Sequence, residues 1–207
     1  MFKQEIVKSR ILNILGKSLE KIYARKCVIN VINDNNTVRS FLEENHLQGF
    51  VGSTVKLGLY YNNELVSLMT FGNLRKAMGN KSKENCFELL RFCNKKNTNV
   101  IGAANKLFKF FILNYKYNEI ISYADRSWSI GNLYEILNFK FDKKTSPNYY
   151  YIINNKRYHR FNFRKDKLIN DGYDSKKTEH EIMLERKIYK IYDSGNLKYT
   201  FIENSFS

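Results

Sequence analysis

The sequence predicts an α/β (α+β) protein in which a mixed, mostly antiparallel sheet is flanked by helices. Helical and strand periodicities alternate along the chain, and two apolar segments flank an Asn-Asn pair suited to a tight turn. A length of 207 residues with 43% hydrophobic and 27% charged side chains is ordinary globular composition. Pro147 is the only proline and no Gly/Ser linker interrupts the chain. Three segments are expected: a helical stretch over 1–26, the layered domain over 27–155, and a basic, aromatic extension over 156–207 packed on it.

In residues 5–22, Ile6, Ile11, Leu12, Ile14, Leu15 and Leu19 fall near helical spacing and predict an N-terminal helix. CVINVI (27–32) reads as a short strand, and NDNN supplies an N-cap for a helix over TVRSFLEENH. VKLGLYY (55–61) and ELVSLMTF (64–71) form a hairpin around Asn62-Asn63, because asparagine tolerates the positive φ of a primed turn. NCFELLRFC (85–93) is a further strand, IGAANKLFKFFILNY (101–115) a buried helix, EIISYA (119–124) a strand and GNLYEIL (131–137) a helix. FKFD and NYYYII (148–153) are strands, and EIMLERKIYKIYDSGNLKYTF (181–201) reads as a helix leading to a hairpin that turns at 193–196.

The formal net charge is +15, and it is clustered. Residues 1–26, 72–116 and 138–168 carry seven, ten and nine basic side chains against two acidic ones each. Such clustering favours a polyanion, since each neutralised phosphate releases counterions. Residues 157–168 interleave cations with aromatics: Arg157, Arg160, Arg164 and Lys165 alternate with Tyr158, Phe161 and Phe163. With Arg75 and Lys76 they are the candidate nucleic-acid contacts. Aromatic side chains there either face a core or stack on unpaired bases.

Other classes are disfavoured. No apolar run approaches the ~20 residues of a membrane span, and charges run through the apolar N-terminal stretch, unlike a secretory signal. Cys27, Cys86 and Cys93 form no CxxC pair and read as reduced thiols of a cytosolic protein. With His46, His159 and His180 scattered, no metal site is expected.

Glu88-Leu-Leu-Arg91 on a strand is followed by Asn97-Thr-Asn-Val100-Ile101-Gly102-Ala103-Ala104 opening a helix, and then by Ser122-Tyr-Ala-Asp125 and Asn132-Leu-Tyr134-Glu-Ile-Leu-Asn138-Phe139. A helix start with small residues exposes unpartnered N–H groups to an anion, or simply packs closely on a sheet. Together these pieces resemble the GNAT superfamily, the N-acetyltransferase fold, over about residues 28–153. LYEILNFKF is the most specific part. That resemblance implies an acetyl-CoA or other acyl-CoA site built from Asn97, Val100, Ile101, Gly102, Ala103 and Ala104. The family pattern Gln/Arg-x-x-Gly-x-Gly/Ala becomes Asn97-x-x-Val100-x-Gly102 here. It also implies Tyr134 as general acid, a role that fits a phenol's high pKa. Glu88 and Asp125 are the candidate bases; an ion pair for the first and a turn cap for the second are the structural alternatives.

ELLRF, ISYAD and NLYE are similar to phage Mom-type DNA adenine-modification proteins, a divergent GNAT branch. FLEENHLQGFVG and LGLYYNNELVSLMTFG look like the region downstream of the nuclease in phage homing endonucleases of the patch-repair-nuclease type. These resemblances imply a phage GNAT-fold protein acting on DNA in the cytoplasm of an infected cell, with or without acyl transfer. Two alternatives stand beside it: a DNA-binding module without catalysis, and a protein that blocks a host defence factor.

Overall fold

The computed structural model describes residues 3–75, 79 and 83–202. Helix α1 (Gln4–Ile14) ends well before the periodicity predicts. Gly16 takes φ +70°, and the amides of Gly16 and Lys17 turn back to Asn13 and Leu12, closing the helix with a left-handed cap. The residues expected as its last turns form strand β1 (Glu20–Tyr23) instead. Ile11, Ile14, Leu15 and Leu19 are therefore exposed rather than buried on a helix face.

Strand β2 (Val28–Val31) and helix α2 (Asn35–Asn45) fall where expected, and the Asp34 carboxylate caps α2 by accepting from the amides of Asn36 and Thr37. The hairpin of β3 (Val55–Tyr61) and β4 (Glu64–Asn73) turns at Asn62 and Asn63, which adopt φ 48° and 65°. Strand β5 (Cys86–Asn94) is followed by strand β6 (Thr98–Ile101), which the sequence reading did not anticipate, and by α3 (Ala103–Asn114). Then come β7 (Glu119–Asp125), α4 (Asn132–Ile136), β8 (Lys140–Lys144), β9 (Tyr149–Ile153) and β10 (Lys156–His159). Helices α5 (Lys165–Asn170) and α6 (Glu179–Glu185) precede β11 (Lys190–Tyr192) and β12 (Asn196–Ile202). The expected terminal hairpin does not form: β11 pairs with β9, whereas β12 enters the main sheet. Asp193 accepts from the Asn148 and Gly195 amides and sends the two strands apart.

Among the described residues the main sheet has the order β2-β3-β4-β5-β7-β12-β8. Neighbours from β2 to β5 run antiparallel, and β5 runs parallel to β7. Strand alternation gives the sheet two apolar faces. Leu68 packs with Ile32, Val38, Phe41 and Leu42 under α2. Phe71 points the other way, its ring stacked 3.7 Å from that of Phe111 on α3. This is the mixed, mostly antiparallel sheet flanked by helices that the sequence predicts.

The chain forms two units. The first comprises residues 1–123, 131–142 and 198–207, and holds the main sheet. The second comprises residues 124–130 and 143–197, with a three-stranded sheet β10-β9-β11 over a core of Tyr151, Leu168, Ile182 and Met183. The expected segment boundary at 155/156 falls inside the second unit, in the Asn154-Asn155 turn of the β9–β10 hairpin.

Gly131 opens α4 at φ +98°, and a Cβ built there would lie 1.8 Å from the Tyr199 hydroxyl. Gly131→Ala is expected to destabilise the protein by about 2–4 kcal/mol and to lower Tm by about 5–10 °C, read by thermal melting.

Candidate active site

Strands β5 and β7 pair over Cys86–Leu89 and Glu119–Ser122, and no pairing continues beyond Leu89↔Ser122. At that point β5 also carries an extra residue against β4: Thr70 faces Arg91 and Phe71 faces Leu89, so Leu90 is bulged. The bulge changes the alternation and brings Glu88 and Arg91, three residues apart, onto the α2 face of the sheet. Ser122 shares the opposite face with its partner Leu89.

Ser122 Oγ lies 2.8 Å from the Leu89 carbonyl, to which it donates, and 3.0 Å from Tyr134 Oη. A hydroxyl has one proton for two such acceptors. When the serine proton turns to the phenol, the tyrosine's own proton is left for the Tyr123 carbonyl, 3.5 Å away, or for a ligand. Tyr134 is 9% exposed, stacked on Tyr199 at 4.9 Å and set edge-on to Phe139. Burial pushes its phenol above the ordinary range, the Ser122 hydrogen bond opposes that, and the Glu88 charge adds to it. The group is a proton holder at neutral pH.

Glu88 is fully buried, and its carboxylate is occupied by Arg75: Nε donates to Oε1 at 2.7 Å and the Arg75 amide to Oε2 at 3.2 Å. The ion-pair alternative therefore describes Glu88, with Arg75 as its partner. Arg75, a candidate nucleic-acid contact, is turned inward to this carboxylate and over the Tyr123 ring. Lys76 lies outside the described residues. Arg91 donates from Nε to the Gly49 carbonyl at 3.0 Å and from Nη1 to the Leu90 carbonyl at 2.8 Å. Burial and the charge of Arg75 lower its pKa to about 10. The neighbouring Thr70 hydroxyl, fully buried, has no hydrogen-bond partner.

His46 is a group that sequence reading passed over. Its Nδ1 accepts from the Gln48 amide, and burial with the charges of Arg91, Arg10 and Lys3 holds its pKa down at about 3. Nothing in a single histidine between Asn45 and Leu47 signals this; only the fold brings it near Arg91.

The helix start is divided in role. Asn97 takes φ +63°, its amide donates to Ser9 Oγ and its carbonyl accepts from the Glu20 amide. Residues Thr98 to Ile101 pair in parallel with Glu20 to Tyr23, and Val100 is buried. Gly102 sits at φ +81° as the N-cap of α3, with no side chain capping the first turn at Ala103 and Ala104. Beside it an open groove of about 660 Å³ is lined by Tyr23, Arg25, Ile101, Gly102, Lys106 and Lys109, among others. Lys106 Nζ donates to the Ala24 and Cys27 carbonyls and so fixes one wall.

Asp125 belongs to the second unit. Its Oδ1 accepts from the Ser127 amide and its carbonyl from those of Trp128 and Ser129, so it caps a turn. Arg157 and Arg160 lie over the Tyr150 and Tyr149 rings at 4.3 and 5.4 Å, Arg164 pairs with Asp166, and Lys165 begins α5. Among the described residues no group of histidine, cysteine and carboxylate side chains is placed to hold a metal.

A family model, that of the Mom protein family, matches residues 27–204. The chain belongs to the Mom protein family. Comparison with curated proteins finds no match. Among solved structures, a Bacillus subtilis acetyltransferase in complex with CoA is 13% identical, with 86% of this chain and 100% of that one covered at a TM-score of 0.47. A GNAT family acetyltransferase from Elizabethkingia anophelis with acetyl-CoA bound is 13% identical, covering 86% and 98% at 0.45. An N-acetyltransferase from Staphylococcus aureus is also 13% identical, covering 85% and 98% at 0.45. The mixed, mostly antiparallel sheet of the first unit is the architecture that the sequence resemblance implies.

Two predictions follow from the charges. Arg75→Ala leaves a buried carboxylate without its guanidinium and is expected to cost about 2–4 kcal/mol. Adding Glu88→Gln should restore part of that, as denaturant midpoints of the single and double variants will report. His46 stays neutral when folded, whereas the unfolded chain takes up a proton below about pH 6.5. Stability from this group is complete above that value and lost as pH falls toward 3. Between pH 7 and pH 5 the loss should reach at most about 2 kcal/mol, and His46→Asn should flatten it in urea titrations.

Proposed function

We propose that this Mom-family protein is an acyl-CoA-dependent transferase that modifies DNA. The observation that carries the reading is the parting of β5 and β7 directly beside the buried Ser122–Tyr134 pair. Membership of the Mom family, together with the resemblance to Mom-type DNA adenine-modification proteins, supports DNA as the substrate. The net charge of +15 supports it independently.

The residues at the start of α3 fit the phosphates of an acyl-CoA. The first-turn amides of a 12-residue helix are uncapped, Gly102 brings no side chain in front of them, and Arg25 and Lys109 line the adjoining groove. Residues 97–101 fit less well, because β1 and Ser9 engage their backbone. We therefore assign phosphate binding to Gly102, Ala103 and Ala104 with the two cations, and a wall of the groove to Ile101. An acyl-CoA supplies an acyl group activated as a thioester. Tyr134 Oη holds the proton that a general acid gives up, and Ser122 orients that hydroxyl. Arg91 keeps a positive charge near the strand gap on the opposite face. Glu88 acts through Arg75 as a positioning residue. Arg75 engages the Glu88 carboxylate and Asp125 caps a turn through Oδ1, so the proton that an attacking amine loses is assigned to solvent rather than to either carboxylate.

The engagement of residues 98–101 by β1 favours a second reading, a DNA-binding module without transfer activity. Calorimetry with acetyl-CoA separates the two. Micromolar binding that weakens about tenfold in Arg25→Ala/Lys109→Ala, about 1.4 kcal/mol, is the expected result. Tyr134→Phe should leave that binding intact and lower the transfer rate about 100-fold. DNA binding without any acetyl-CoA binding would select the second reading.

A further inference from the structure

We infer that the open face of the three-stranded sheet in the second unit binds unpaired DNA, with Tyr150, His159 and Phe161 as the surface for bases and Arg157 as the phosphate contact. This rests on DNA being the partner, as proposed above, and names the form of DNA that the second unit takes.

Register and alternation divide this sheet sharply. Tyr149 and Tyr151 on β9 face the core, where Tyr151 packs with Leu168, Ile182 and Met183, and both phenols donate to Glu179 Oε1 at 2.9 and 2.8 Å. Tyr150 and Ile152 therefore point to the other face, joined by their cross-strand partners His159 and Arg157 on β10 and by Ile191 on β11. That second face is open to solvent in part: Ile152 is 37%, Ile191 49% and Phe161, just beyond β10, 44% exposed, while Tyr150 and His159 are half-buried. A solvated sheet face ordinarily carries polar residues, whereas this one carries flat rings and branched aliphatics with cations above them.

The rings are already arranged. His159 and Phe161 stack with centroids 5.0 Å apart and planes 19° apart, and Tyr150 stands edge-on to His159 at 5.4 Å. The Arg157 guanidinium lies 4.3 Å above Tyr150, while that of Arg160 sits between Phe161 at 5.6 Å and the core-side Tyr149 at 5.4 Å. None of the strand residues on this face is acidic, while Glu179 is held on the covered side. A duplex presents phosphates and groove edges, and offers an aromatic plane nothing to stack on. An unpaired strand presents base faces beside its phosphates, which is the complement of rings interleaved with guanidinium groups. Chemistry on a base also requires that base to leave the stack, which creates such unpaired DNA.

The test uses the full chain and fluorescence anisotropy with a labelled 20-nucleotide single strand and the matching duplex, at two salt concentrations. The single strand should bind at least about tenfold more tightly than the duplex. Tyr150→Ala/Phe161→Ala should weaken single-strand binding by about ten- to 100-fold and change duplex binding less than twofold. Phe161→Leu, which keeps apolar bulk, serves if the double variant melts early. Arg157→Gln should lower the salt slope for the single strand by about one. Equal or tighter duplex binding, or ring variants that bind the single strand as the parent does, would overturn the assignment of this face and leave the DNA reading standing. Failure to bind either probe would overturn both.

Discussion

The end of backbone pairing between β5 and β7 at Leu89 and Ser122 is the constraint around which the candidate site of the first unit is built. Because the ladder stops there, and because Leu90 is bulged on the other edge of β5, polar side chains can stand at a break in the sheet without breaking the sheet itself. Three buried charge or proton carriers then collect around the break: Glu88 with Arg75, Arg91 on two carbonyls, and Tyr134 on Ser122.

Their electrostatics are consistent with one another. A buried carboxylate costs several kcal/mol unless paired, and Arg75 pairs it through side chain and backbone alike. Arg91 instead keeps its charge on neutral carbonyls, so the α2 face of the break stays positive, and His46 close by is held neutral by burial first and by that charge second. On the opposite face the phenol is held protonated by burial. The two faces thus offer a fixed cation and a movable proton.

Much of this was legible in the residues. The Asn62-Asn63 turn, the Asp34 cap and the strands around Glu88 and Ser122 are local signals, and local signals survive folding. The Tyr134 segment was readable because its pattern resembles a family. What failed was long-range. The apolar spacing over 5–22 looks helical throughout, yet Gly16 ends the helix and Glu20–Tyr23 find partners at Thr98–Ile101, almost eighty residues away. A tail hairpin at 193–196 looked sound because nothing in DSGN reveals that β12 has a place in a different sheet from β11. Arg75 read as a nucleic-acid contact since its partner, Glu88, lies thirteen residues on in the sequence.

The course of the chain between the units has a consequence for biosynthesis. The strand that carries Tyr199, whose ring rests on Tyr134, is made after all but the last two residues of the second unit, which are its own first two. A nascent chain emerging from the ribosome therefore holds an unfinished main sheet until translation reaches residue 198 and beyond. Shortened products that stop before residue 199 lack the ring that stacks on Tyr134 and leave that aromatic layer open to water, which lowers their stability.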